Sequence, residues 1–266
     1  MSLMPDGALV PAIDQPFTHI LKPAGTAGFE MLPVVEWLCL ELGRSAGFDV
    51  PDAALLEMPD GMSPALVVER FDIRRAPADQ RRLAMEDFCS ILDLPASAKY
   101  DGTIERMARG LRPLSTDPAS DLDILFRRAV FAWLIADGDM HLKNLAVLKV
   151  AEVDAKAFTS VRFAPLYDAV TTRVFPGLGG DRMALKLNGK DDRLTPQDFL
   201  ALARTIGVSA GDAETAIADL TARVADRAQG LQLPAFAAEA EAAKTAQEKV
   251  IALVGERCKA LAVEGD

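Results

Sequence analysis

The stretch Asp137-Gly138-Asp139-Met140-His141-Leu142-Lys143-Asn144 decides how this chain is read. It follows the apolar run 122–136 and precedes the apolar run 145–150, so it is a short polar loop held at both ends. Asp139 and Asn144 stand five apart. At that interval phosphoryl-transfer enzymes set a carboxylate beside the acceptor hydroxyl and an amide oxygen beside Mg²⁺. The chemistry explains the residue types: a carboxylate accepts a proton at neutral pH, and an amide oxygen ligates a hard cation without adding charge. Lys143, between them, would neutralise charge on a transferring phosphoryl group. The same string also reads as a helix end and an ordinary turn, since Asp, Gly and Asn are turn formers. A metal-hydrolase reading, with Asp137, Asp139 and His141 as ligands, needs more ligands, and the only other histidine is His19.

Working outward, Phe163-Ala164-Pro165-Leu166-Tyr167-Asp168 runs an apolar strand into a carboxylate 24 residues beyond Asn144. A divalent cation bridging phosphates takes one or two carboxylates plus the substrate's own oxygens, and Asp168 is placed to be the main one. Its alternative is a turn cap through Thr171 or Thr172. Upstream, Lys22 ends a strand over 18–22 and lies fourteen residues before Glu36 on an amphipathic helix over 30–46. A strand lysine paired with a helix glutamate, its ammonium turned toward nucleotide phosphates, is the kinase arrangement; singly, each is an ordinary surface residue. Val67-Val68-Glu69-Arg70-Phe71-Asp72 would lead a strand into a connection. There, main-chain groups of Glu69 and Phe71 meet an adenine edge and Asp72 a ribose hydroxyl; on its own the string is a strand with a charged turn. Each element is ambiguous, but their linear order is that of a two-lobed kinase.

The remaining pattern fits an α+β fold with a small sheet-bearing lobe over 1–72 and a mostly helical lobe over 73–266, leaving a cleft between them. Strands at 53–58 and 65–71 form a hairpin with Asp60-Gly61 at its tip. Helices are expected from about 75 onward: 85–92, 121–136 with Asp121 as N-cap, 196–206, 212–230 and 234–263, with strands at 145–150 and 161–164. Met1-Ser2-Leu3-Met4, with a second methionine, read as a start-codon scar ahead of the natural segment. Half the residues are hydrophobic and 26% charged, which excludes wholesale disorder. With 29 basic against 39 acidic residues the net charge is −10, which argues against coating nucleic acid or an anionic membrane. The absence of a spanning run or signal pattern gives a cytoplasmic expectation. Three scattered cysteines fit neither a disulfide framework nor a zinc knuckle.

Together these strings resemble the HipA family of bacterial serine/threonine protein kinases, the toxins of HipBA-type toxin–antitoxin systems. The resemblance rests on His19-Ile20-Leu21-Lys22-Pro23, the Glu36 helix running into Gly47-Phe48-Asp49-Val50-Pro51, and Val68-Glu69-Arg70-Phe71-Asp72. It continues through Glu86-Asp87, Leu94-Pro95, Lys99-Tyr100 and Trp133-Leu134-Ile135 to the Asp139 loop and Pro165-Leu166-Tyr167-Asp168. It implies a kinase-like fold that transfers the γ-phosphate of ATP, with Mg²⁺, to a protein hydroxyl. On matching positions Asp139 would be the proton acceptor, and Asn144 and Asp168 the metal ligands. Lys22, supported by Glu36, would contact phosphates, with His141 and Lys143 beside them. The adenine would meet Glu69 and Phe71, and the ribose Asp72. The implied partners are a HipB-like DNA-binding antitoxin and a protein substrate, an aminoacyl-tRNA synthetase being the target class.

One departure stands out. The family's Gly-rich phosphate-covering loop precedes the lysine strand, whereas here about twenty residues precede Lys22 and Gly7 is isolated among them. The expectation is a partial kinase core, and its alternative a catalytically impaired nucleotide-binding or protein-interaction module. A small-molecule kinase of the aminoglycoside type shares the Asp139–Asn144 spacing but not the other strings.

Overall fold

The computed structural model describes residues 1–4, 6–13, 17–76 and 79–262. A short antiparallel pair, β1 (Ser2–Leu3) and β2 (Leu9–Val10), opens the chain. The strand expected to carry the lysine is β3 (His19–Lys22), joined antiparallel to β5 (Ala65–Glu69), which also pairs with β4 (Ala53–Leu56). The sheet order is therefore β3-β5-β4, and a 3₁₀ turn at Pro59–Gly61 closes the predicted hairpin. Strand alternation puts Ile20 and Lys22 on one face of β3 and His19 and Leu21 on the other.

Helix α1 (Leu32–Ser45) follows β3 and is buried on most of its circumference. It packs on β4 and β5 on one side and on the C-terminal helices on the other, so the hydrophobic core runs through it without a break. Gly43 makes the fit possible: a Cβ there would stand 2.1 Å from Leu166 Cδ2.

After β5 the structure departs from the sequence reading. Instead of helix from about 75, β6 (Ile73–Ala76) and β7 (Asp79–Arg82) pair as a hairpin; positions 77–78 lie outside the described residues. The expected helix over 85–92 is β8 (Ala84–Asp87) followed by one helical turn, α2 (Phe88–Ile91). Met85 and Glu86 are held extended because they pair with β9 (Ala146–Val150), which also pairs with β10 (Ser160–Phe163). Asp87 then starts the helix by accepting the Ser90 N–H at 3.0 Å.

Helix α3 (Ile104–Leu111) precedes α4 (Pro118–Leu134), whose N-cap is Asp117 rather than Asp121. Pro118 at the first helical position fixes that start, and Asp117 accepts from Ser120. Asp121 is instead a fully buried acceptor for Ser115 Oγ at 2.5 Å and Arg162 Nε at 3.1 Å. Helices α5 (Pro196–Ile206) and α6 (Ala210–Gln229) match their expected spans. The helix expected over 234–263 divides into α7 (Ala235–Ala238) and α8 (Glu241–Leu261), broken where Ala240 is extended. That break lets α8 lie against α6 and α1, packing outweighing the helix propensity of an Ala-rich run. Residue 263 is outside the described set. Among the described residues no helix is long and apolar enough to cross a membrane.

Candidate active site

The polar loop is launched by the end of α4. Ile135 is the C-cap and Ala136 takes the left-handed conformation, φ 52°. The Ala136 N–H bonds Trp133 O at 3.1 Å and the Asp137 N–H bonds Ala132 O at 2.8 Å, the paired bonds of a Schellman turn. This turn drives Asp137 into the interior, where it is 3% exposed and accepts the Asp139 N–H at 2.9 Å. Burial pushes its carboxyl up to about 8. Gly138 passes so close to Asp181 and Thr172 that a Cβ would meet both inside 2.4 Å, at 2.2 and 2.3 Å.

Asp139 emerges from this turn half-exposed. Its Oδ1 accepts the Tyr100 hydroxyl at 2.6 Å and lies 3.8 Å from His141 Nε2. The Asn144 amide donates Nδ2–H to the Asp139 carbonyl at 2.9 Å, closing the loop on itself across the five-residue interval. His141 is buried, its Nδ1 has no partner among the described residues, and burial holds its pKa below the ordinary histidine value.

Asp168 follows β10 in a left-handed turn, φ 51°, a conformation that Asp tolerates better than most residues. The segment leading to it is anchored from α4: buried Arg128 donates to Ala164 O at 3.2 Å and Pro165 O at 2.6 Å. The Asp168 carboxylate meets the Lys22 ammonium, which also donates to Glu36 Oε1 at 2.6 Å. Burial pushes Glu36 up to about 7 against the pull of Lys22, while the two acids hold Lys22 above its ordinary value despite its burial. Asp168 and Asp139 both act electrostatically on Asp137, so the carboxylates of the two segments share one neighbourhood.

Two cavities open on these groups. One, about 530 Å³, has Lys22, Glu36 and Asp168 at one end and Glu69, Phe71 and Asp72 along its edge. Its apolar walls include Ile20 and Met85, which are 41% and 43% exposed. Phe71 closes against Tyr167, ring centroids 5.2 Å apart. The second cavity, about 590 Å³, opens on Asp139, Tyr100 and Asp181, with Phe29 and Phe175 among its walls.

The structure thus brings Lys22, Glu36, Glu69, Phe71, Asp72 and Asp168 to one cavity and sets Asp139 in the next. Three expected residues, His141, Lys143 and Asn144, line neither cavity, and two of the expected residues are held by other side chains. Lys143 is turned to Asp87, outside both linings, and Asp72 is already clasped by Arg70, through Nη2 at 2.5 Å and Nε at 2.8 Å. The Glu69 and Arg70 N–H groups are spent on Asp52 O at 2.8 Å and Thr18 O at 2.9 Å. Sequence reasoning missed roles for Ile20, Met85, Tyr100 and Arg128, whose partners are set by the fold and carry no local spacing signal.

Among the described residues no three His, Cys, Asp or Glu side chains are grouped to hold a metal unaided. The donors present do fit Mg²⁺. Asp168 supplies a carboxylate, and the Asn144 amide, pinned through its Nδ2, keeps Oδ1 as an oxygen donor. A cation of this kind completes its shell with water and phosphate oxygens.

A small antiparallel sheet with its lysine–glutamate pair, packed on a helical body that holds the Asp139 loop after α4 and Asp168 after β10, defines a protein-kinase-like fold. HipA of Shewanella oneidensis, solved with HipB and its operator DNA, shares it with a TM-score of 0.73 and 21% identity, over 92% of this chain and 58% of that one. The Helicobacter pylori proinflammatory kinase CtkA matches with a TM-score of 0.58 and 15% identity, over 91% of this chain and 87% of that one. The model of the HipA-like C-terminal domain matches residues 6–228, and the chain belongs to that family. Y4mE of Sinorhizobium fredii, a protein carrying a provisional kinase name, is 33% identical over 199 residues. That match covers 73% of this chain and 44% of Y4mE, so the chain spans less than half the length of this relative.

Proposed function

We propose that this chain is a kinase core that binds Mg²⁺–ATP in the Lys22–Asp168 cavity and transfers the γ-phosphate to a serine or threonine hydroxyl of a protein. The observation that carries the reading is the meeting of Lys22 and Glu36 with Asp168, on a segment whose Tyr167 hydroxyl donates to Lys143 O of the Asp139–Asn144 loop at 3.3 Å. On this reading residues 1–72 form the small lobe and 73–266 the large one. Ile20 and Met85 clamp the adenine, whose edge pairs with main-chain groups of Glu69 and Phe71. Their exposure is that of apolar side chains awaiting a flat apolar partner.

Asn144 and Asp168 would hold Mg²⁺, which supplies charge neutralisation at the phosphates. Lys22, oriented by Glu36, directs its ammonium toward the same oxygens. Asp139 receives the acceptor hydroxyl's proton on its carboxylate, and His141 and the buried Asp137 behind it keep the loop in register. Positioning and preorganised charge account for the catalysis. The Shewanella neighbour was solved with HipB, which supports a HipB-like partner and a toxin role.

Transfer of label from γ-radiolabelled ATP to a degenerate serine/threonine peptide library tests this reading. Asp139→Asn, which keeps an oxygen for the Tyr100 hydroxyl, is expected to lower turnover by at least about a hundredfold with the melting temperature unchanged. Undiminished transfer by that variant would overturn the assignment.

A further inference from the structure

Tyr100 lies outside the catalytic loop, 39 residues from Asp139, yet its hydroxyl donates to Asp139 Oδ1 at 2.6 Å. Its segment is fixed by main chain on both sides. The Lys99 carbonyl accepts the Leu142 N–H at 3.0 Å, and the Ile104 N–H bonds Lys186 O at 3.0 Å. Gly102 lies flush on the loop, where a Cβ would come within 2.7 Å of Leu142 Cδ2. The ring stands edge-on to His141, centroids 5.2 Å apart, and the Lys99 ammonium sits 4.9 Å from its centre. Burial, with the Asp139 bond behind it, raises the phenol to about 12, so it keeps its proton as a donor at neutral pH.

We propose that Tyr100 is a positioning residue for phosphoryl transfer, holding Oδ1 of Asp139 so that Oδ2 is presented to the acceptor hydroxyl. The inference rests on the kinase reading above. A carboxylate turns easily about its terminal torsion, and one bond to a phenol on a segment pinned by main-chain bonds restricts that freedom without occupying the second oxygen. Among the described residues no side chain donates a hydrogen bond to Oδ2 of Asp139, which leaves it to the substrate. A hydroxyl that merely blocked the base would need to withdraw before each turnover, and the docked segment gives it no slack.

Tyr100→Phe removes the hydroxyl alone from a ring that is 47% exposed, so the fold is not at stake. In the peptide-library transfer assay its kcat is expected to fall about 10- to 100-fold, the loss of one hydrogen bond to a charged group. The KM for ATP should stay within about twofold, because the nucleotide cavity is untouched. Turnover equal to or above wild type overturns the proposal and leaves the kinase reading standing. A loss confined to Tyr100→Ala assigns the effect to ring packing and overturns it equally. Absence of transfer by the wild-type protein overturns the kinase reading, and the proposal with it.

Discussion

Asp137 faces backbone N–H groups of Asp139 and Val170, and burial lifts its carboxyl from 3.8 to about 8. The folded protein therefore retains a proton that the unfolded chain releases above about pH 4, and the group's contribution to stability falls as pH rises through that window to about 8. Asp137→Asn cannot ionise, so its melting temperature relative to wild type is expected to rise steadily between pH 5 and pH 8. Thermal scans across that range check this; a difference that stays constant with pH would contradict it. Residues such as Asp139, Asn144, Lys22 and Asp168 were legible in the sequence because chemistry restricts their types and the chain order restricts their spacing. Tyr100 and Arg128 were not, since each acts on a segment more than thirty residues away, Asp139 and Ala164 respectively, through contacts only the fold creates.

Helix α1 and the 164–168 segment form the element pair on which the site depends, with Gly43 against Leu166 and the Leu166 N–H bonded to Asp49 O at 2.7 Å. Alanine in place of a mid-helix glycine ordinarily stabilises by about 1 kcal/mol. Here the sign reverses: Gly43→Ala is expected to cost about 1–3 kcal/mol, because the new methyl enters a filled space. Leu166→Ala should cost less in the Gly43→Ala background than on its own, and denaturant unfolding of the single and double variants measures the difference. A stabilised Gly43→Ala protein would contradict the packing described. The strands and helices that were legible, β3, α1, α5 and α6, carry a clear period and local stop signals. Met85 and Glu86 were read as helix because strand pairing with β9 lies 60-odd positions downstream and leaves no mark on the local pattern. Asp121 was taken for a cap because it begins the apolar period, whereas the helix starts where Pro118 and Asp117 permit.

For the whole molecule, the lysine–glutamate–aspartate cluster lines one cavity and Asp139 of the polar loop lines another. The order of motifs along the chain made the grouping of Lys22, Glu36 and Asp168 legible; the pairing of Lys143 with Asp87 and of Asp72 with Arg70 belongs to the folded state alone. On the proposed reading nucleotide and cation bind as one unit, because Asp168 would hold the cation and Lys22 would meet the phosphates. Calorimetric titration of ATP, with and without Mg²⁺, into wild-type and Asp168→Asn protein tests this most directly. Binding to the wild type should strengthen when Mg²⁺ is present, and the variant should lose at least about tenfold of that Mg²⁺-dependent affinity. ATP binding indifferent to both Mg²⁺ and residue 168 would contradict the account.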